Sequence, residues 1–313
     1  MLALILLPLA LSPTENSTPV LTAMQGLGDL TLRTLDGDGG WDSKLDFSGA
    51  TYKAAGVQGF KNTVGLNRYG TRLELQHQVG ESSTLSLGLG MEHMTYTGII
   101  KYEGVATEFN EADHWRLDAT MFGSPEDAFS WFASARAEAG VVKGINPWDE
   151  FVFGGNVGVT LPLMEDLGLK LILDVNERRE DSVRLLPLAL VDWRISDRWN
   201  LGDQVGGYGL GFQLDPKSKY FVALNLEERG YRLDSEGPTS GGTIYDEELS
   251  LRGGLAWSPN PGLQLDMFLG LADREMELRA EGIGLGSIEI NDAIFGGFHL
   301  SLGAVTLTRQ SAI

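Results

Sequence analysis

The chain has 313 residues, 42% of them hydrophobic and 9% aromatic, with a formal net charge of -19 and no cysteine. The acidic balance argues against nucleic acid as a partner, and the lack of cysteine excludes disulfides and thiolate metal sites. No run reaches the ~18 consecutive apolar residues of a spanning helix, and the length suits one large β domain or two ordinary ones.

Taken in order, Met1–Leu11 is an apolar run interrupted by Pro8 and followed by Ser12, Pro13 and Thr14. It has the length of a signal-peptide core without the usual Lys or Arg before it, so residues 1–16 are read as a cleavable signal. A buried strand or a truncated start is the alternative. Residues 17–42 carry no clear period and are assigned to an irregular lead or an inward plug. Within them, Asp36-Gly37-Asp38-Gly39-Gly40-Trp41-Asp42 departs from an EF-hand loop at the fifth, sixth and twelfth places and reads as a turn.

A strand is predicted near 43–55, and from about residue 70 the chain alternates with period two. In 71–79, Leu73, Leu75 and Val79 oppose Arg72, Glu74, Gln76 and Gln78. In 84–96, Leu85, Leu87, Leu89 and Met91 oppose Ser86, Gly88, Gly90 and Glu92. Trp115, Leu117, Ala119 and Met121 oppose Arg116, Asp118 and Thr120, and Ala133, Ala135 and Ala137 oppose Ser134, Arg136 and Glu138. Further on, Leu169, Leu171, Leu173 and Val175 oppose Lys170, Asp174 and Asn176, and Leu265, Met267, Leu269 and Leu271 oppose Asp266 and Gly270. Alternation over stretches of about ten residues, repeated along a chain, marks a transmembrane β-barrel with a lipid-facing apolar side and a polar lumen.

Short turns are predicted at 80–82, 124–127, 164–166, 196–197, 215–218 and 258–262, and longer connections at 98–112, 144–149, 179–183, 202–205, 233–245 and 280–286. Six hairpins straddle the short turns. A first strand and a last one near 287–307 bring the total to about fourteen, with twelve as the alternative, and place both termini on the periplasmic side. The barrel is assigned to 43–307 and a short tail to 308–313. Boundaries are weakest inside 198–214, where Gly206-Gly207-Tyr208-Gly209-Leu210-Gly211 lacks a following helix and reads as a sharply curved or closely approached strand. Leu185–Val191 is apolar on both faces and contains Pro187, which cannot donate to a ladder. A bulge or a locally dry lumen is expected there. Aromatics such as Phe122, Trp193, Trp199, Tyr220 and Trp257 flank the short turns, as an interfacial girdle requires.

The turns Ser196-Asp197-Arg198-Trp199-Asn200-Leu201 and Ser258-Pro259-Asn260-Pro261-Gly262-Leu263-Gln264-Leu265 resemble the Ser-Pro-x-x-Leu-x-Leu turns of bacterial outer-membrane barrels. With Leu186-Pro187-Leu188 leading into Val191-Asp192-Trp193-Arg194-Ile195, the C-terminal two-thirds resembles a family of exported barrels classed as a domain of unknown function. The resemblance implies outer-membrane location and no particular activity. The chain departs from such barrels in ending Arg309-Gln310-Ser311-Ala312-Ile313 rather than in Phe or Trp.

No catalytic, cofactor or metal site is predicted. Among His77, His93, His114 and His299 no His-x-Ser-Asn string occurs; His77 and His93 could approach across a turn, and Asp113-His114 resembles an acid–base pair without the second acid a protease barrel needs. The candidate lumen residues are Arg72, Glu74, Arg116, Asp118, Arg136, Glu138, Lys170, Asp174, Arg252 and Asp266, with Arg184, Asp192 and Arg194 on the same face. They fit either a constriction with a basic wall opposite an acidic one, or a paired network that fills the barrel. The sequence is therefore read as a single antiparallel outer-membrane β-barrel, porin-like or a small-solute transporter. A closed structural or surface-interaction barrel is the rival, an outer-membrane enzyme the third reading, and a soluble β-sandwich the alternative fold. Expected partners are outer-membrane lipid and the barrel-assembly machinery, with no cofactor.

Overall fold

The computed structural model describes residues 41–57, 63–97, 101–102, 105–106, 110–124, 129–179, 183–233, 241–280 and 283–303. The strands are β1 (Trp41–Gly56), β2 (Thr63–Val79), β3 (Ser83–Thr97), β4 (Lys101–Tyr102), β5 (Val105–Ala106), β6 (Glu111–Gly123), β7 (Ser130–Val142) and β8 (Val152–Met164). They continue with β9 (Leu167–Asn176), β10 (Arg184–Arg194), β11 (Trp199–Gln204), β12 (Gly207–Asp215), β13 (Ser218–Arg232), β14 (Thr243–Asn260), β15 (Leu263–Ala280) and β16 (Ile283–Gly303). All except the small β4–β5 pair join one closed barrel, β16 returning to β1 with Lys44 opposite Gly303. That makes fourteen barrel strands, and every sequential neighbour pairs antiparallel. The predicted signal, most of the lead and the tail lie outside the described residues.

Alternation dictates which face turns out. Leu73, Leu87, Leu89, Leu117, Leu171, Leu173, Leu251 and Leu269 are exposed around the outside, while Glu74, Ser86, Arg136, Lys170, Asp174 and Asp266, of opposite parity, are buried within. Such a surface is stable only where something apolar meets it, since water would leave a continuous aliphatic belt uncovered.

Two details depart from expectation. The predicted long connections at 202–205 and 280–286 are tight: β11 turns into β12 at Val205-Gly206, and β15 and β16 run to Ala280 and from Ile283. The asymmetry between a turn end and a loop end therefore rests on fewer long connections. The first strand also starts earlier, at Trp41, because Trp41 pairs opposite His77 and stacks on its ring at 4.9 Å.

Leu185–Val191 takes the second of its two expected forms, a locally dry lumen. β9 and β10 pair without interruption from Arg184 opposite Asn176 to Trp193 opposite Leu167, so there is no bulge. Proline is tolerated because, among the described residues, β10 pairs with β11 only through Trp193 opposite Leu201 and Arg194 opposite Asn200, which leaves the edge at Pro187 without a strand. The inward side is also dry, for Leu188 and Leu190 pack against Phe132 and Ile172 with Phe122 beside them. The glycine-rich strand is closely approached as expected, a Cβ on Gly209 falling 2.0 Å from the Val222 carbonyl oxygen.

At the loop end β13 turns inward and pairs in parallel with β7, Arg232 opposite Val141. β8 has no residue paired above Glu138, so the last residues of β7 exchange one neighbour for another. The wall thus crosses the interior and leaves β8 to β12 as a side lobe. The main part beyond the crossing is filled by an apolar core that includes Leu66, Met94, Tyr231, Ile244, Met276 and Leu278, each at most 1% exposed. A polar interior over the full height, as the sequence suggested, is corrected here.

Candidate functional site

The inward charges form a ladder rather than two walls. Arg72 on β2 donates to Asp118 on β6 at 2.9 Å, reaching across β3. That crossing needs Gly88, where a Cβ would stand 2.6 Å from an Asp118 oxygen. Arg116 Nε lies 3.3 Å from Asp118 and 3.7 Å from Glu138, and Arg136 lies 3.8 Å from Glu138 and 3.4 Å from Asp174. Basic and acidic residues alternate around the wall because neighbouring strands bring them side by side. Each charge leaves water with a partner already placed, which keeps the cost of burial down.

The remaining predicted lumen residues are placed separately. Glu74 accepts from Ser86 at 2.6 Å and from Gln76 at 2.7 Å. Lys170 pairs with Asp203 of β11. Asp266 accepts from Gln264 at 3.0 Å and lies 3.1 Å from His299, whose other ring nitrogen is 3.3 Å from Asp46. Arg252 stands apart from the ladder, its guanidinium 5.2 Å over the Phe268 ring. Arg184 reaches Glu228 at 3.1 Å. Arg194 is corrected outright: it sits exposed at the turn end, paired with Asp166, because it is the last residue of β10 and stands at the rim rather than inside the lumen.

A second cluster was not foreseen. Arg68 on β2 bonds Glu227 on β13 at 2.6 Å and Glu248 on β14 at 3.1 Å, and Arg229 bonds Glu92 on β3 at 2.8 Å. These contacts span the interior from one wall to the other. Above them Tyr52 donates to Glu248 at 2.9 Å, Tyr96 donates to Asp246 at 2.8 Å, and Arg274 pairs with Asp246. A readable signal existed in β15. Outward Leu269 and Leu271 give way to Asp273, Glu275 and Glu277, while inward positions become Ala272, Met276 and Leu278. That exchange of faces marks where the strand leaves an apolar surrounding and the barrel acquires a water-soluble protein's core.

The histidine pairings considered from the sequence are not formed, and His93 instead stands between Asp113 and the Thr95 hydroxyl, 3.4 Å from its Nε2. His77 stacks on Trp41, whereas His93 Nδ1 lies 2.7 Å from Asp113, so the two histidines stay at opposite ends of the β2–β3 hairpin. Asp113 and His114 are split because successive strand residues face opposite ways; His114 points inward to Tyr231, ring centroids 6.5 Å apart.

Below the apolar core the interior is not filled. A cavity of about 240 Å³ is lined by Arg72, Glu92, Arg116, Glu227 and Arg229, and one of about 230 Å³ by Arg68, Glu92, Glu227, Arg252 and Asp266. A wider cavity of about 580 Å³ lies at the turn end against Ser130, Thr160, Pro162 and Asp192. In the side lobe a cavity of only about 60 Å³ is bounded by Arg136, Glu138, Arg178, Arg184, Glu228 and Tyr245.

Comparison with solved structures returns an outer membrane channel, a transporter and a porin. "Crystal structure of the COG4313 outer membrane channel from Pseudomonas putida F1" is 12% identical over 87% of this chain and 100% of that one, with a TM-score of 0.45. "Crystal structure of the P. putida toluene transporter TodX" is 9% identical over 86% and 91%, with a TM-score of 0.39. "KdgM porin" is 10% identical over 82% and 97%, with a TM-score of 0.35. At such identities and scores nothing about this chain's function follows from them; its fold rests on the strand pairing above. No protein-family model and no curated protein matches the chain.

Proposed function

We propose that this chain is a passive channel of a bacterial outer membrane, admitting small solutes from the turn end through the side lobe. The supporting observation is the set of charge-lined cavities below the core, together with the wide turn-end cavity and the small one at Arg178, Arg184 and Glu228. The exposed aliphatic belt supports membrane insertion, and the pairing of β1 with β16 sets both ends of the described barrel at the turn end. The axial route is blocked by the core around Tyr231 and Met276, which makes the arginine-lined side-lobe constriction the limiting passage.

The closed structural barrel is favoured by one specific observation, the ion pairs that cross the interior from Arg68 to Glu227 and from Arg229 to Glu92. Conductance separates the two. Purified protein in a planar bilayer should give small unitary currents, and Arg178→Gln with Arg184→Gln should raise them and shift the reversal potential toward cations. Inserted protein that never conducts, in wild-type or variant form, leaves the structural barrel standing.

A further inference from the structure

Arg68, Arg72, Arg116, Arg136, Arg229 and Arg274 point inward, and each meets a carboxylate within ion-pair reach. Arg252 on β14 does not. Among the described residues it makes no ion pair and no hydrogen bond, and its Nε is buried without an acceptor. The carboxylates that share its cavity are already engaged. Glu227 holds Arg68 at 2.6 Å and Arg229 at 2.5 Å, and Glu92 holds Arg229 at 2.8 Å. Asp266 accepts from Gln264 and lies 3.1 Å from His299. A guanidinium drawn out of bulk water without an acceptor is costly, so something that enters the cavity must supply one.

Two neighbours hold the Arg252 side chain in place. Its guanidinium stands 5.2 Å over the Phe268 ring, which attracts the charge but accepts no strong hydrogen bond from its N–H groups. The β11–β12 turn closes on it from another side. Val205 and Phe268 pack on the same buried cluster of Phe221, Ala223 and Ala256, and a Cβ on Gly206 would stand 2.4 Å from Arg252 Nη1. Gly206 also has a φ of 73° less eight, that is 65°, so two separate constraints keep this turn free of a side chain.

Beyond Phe268 an aromatic shelf continues along the wall. Phe268 meets Phe295 edge to face, ring centroids 6.0 Å apart, and Phe295 stacks on Tyr52 at 4.8 Å. Two inward glycines make the room: a Cβ on Gly297 would stand 2.7 Å from the Phe268 ring, and one on Gly270 2.5 Å from the Phe295 ring. The rings lean over the neighbouring strands and give an otherwise charged lumen one apolar surface. Shelf and Arg252 line the same cavity of about 230 Å³. It is smaller than the roughly 300–1,000 Å³ of pockets for drug-sized ligands, which suits a body of about one ring.

We propose that this cavity is a binding site for small carboxylates with a single-ring apolar body, the carboxylate on the Arg252 guanidinium and the ring against Phe268 and Phe295. A carboxylate can accept two N–H bonds from one guanidinium, which the aromatic neighbour cannot. The proposal rests on the channel reading for the solute's way in and out, and it names the solute class; binding itself needs no current.

Isothermal titration of the purified barrel in detergent is the direct test, with benzoate as the probe. Benzoate should bind at one site per chain, benzyl alcohol and acetate each about tenfold more weakly, and benzylammonium not at all. Arg252→Gln should weaken benzoate about tenfold and Phe268→Leu several-fold, with Arg252→Lys between Arg252→Gln and wild type. Arg178→Gln, in the side lobe, should bind as wild type does. Each variant is checked for the shift of the compact barrel on unboiled gels. No heat from benzoate with wild type, an Arg252→Gln titration equal to wild type, or acetate binding as tightly as benzoate overturns the site. If Arg252→Gln loses the gel shift, Phe268→Leu decides, and unchanged benzoate affinity there overturns the site as well.

Planar-bilayer recording separates the site from the channel. Benzoate should reduce the unitary current of wild type and leave that of Arg252→Gln unchanged. A barrel that binds benzoate and never conducts keeps the site and loses the channel. One that conducts without binding benzoate loses the site alone.

Discussion

Gly140 of β7 lies under the backbone carbonyl of Gly230 in β13, so closely that a Cβ at residue 140 would stand 2.0 Å from that oxygen. The contact is where the wall crosses the interior, and it separates a fourteen-strand lower barrel from a filled main part and a side lobe.

Gly140→Val should therefore push β7 and β13 apart. A clash with backbone cannot be relieved by a rotamer change, so the expected cost is about 1–3 kcal/mol. The temperature at which the compact, unboiled gel form is lost should fall, and unitary conductance should rise as the seal loosens. An unchanged melting profile would show that the two strands do not touch.

The change of faces in β15 makes a prediction six residues apart on one side of one strand. Leu269→Arg places a charge in the lipid belt and should cost roughly 2–4 kcal/mol. Glu275→Arg, beyond the belt, should match wild type in urea titration of the reconstituted protein. Similar penalties at both sites would mean that the apolar surrounding extends past Leu271.

Arg116 sits between Asp118 and Glu138, with its side chain 16% exposed. Arg116→Gln leaves both carboxylates facing one another and should destabilise the barrel by about 3 kcal/mol. Adding Glu138→Gln should recover part of that loss, giving a coupling energy of roughly 1–3 kcal/mol in a double-mutant cycle. Simple additivity would show that the ladder is not a connected network.

The free edge of β10 should be visible in hydrogen exchange. Among the described residues, amides of 185–191 on that edge have no ladder pairing, whereas β9 is paired on both sides. Peptides from β10 should exchange within minutes at about half their amides while β9 peptides stay protected for hours. Equal protection would mean that another segment pairs with this edge.

The six turn-end hairpins, the fourteen strands and the outward leucine belt were all legible in the residues, because period two and tight turns are local properties that survive in any β-barrel. The inward placement of Arg72, Arg116, Arg136 and Asp174 followed from parity alone. Their partners did not: Arg72 reaches Asp118 across a third strand, a matter of register and of the space left at Gly88. The Arg68–Glu227 and Arg229–Glu92 pairs join residues far apart in sequence, and alternation says nothing about what stands opposite across a lumen. The filled core was partly written in β15, where apolar residues change parity after Leu271, but the period itself continues through that change.

By itself, then, the sequence determined an alternating chain that must close on itself and show an apolar side to something other than water. Whether that barrel is open was decided only in three dimensions. The crossing of β13 onto β7 depends on a residue without a side chain, Gly140, meeting the backbone of Gly230 ninety residues away. The free edge of β10 depends on a hairpin too short to cover it. Neither is a property of a strand; both are properties of which strands end where, and that is fixed when the whole wall closes.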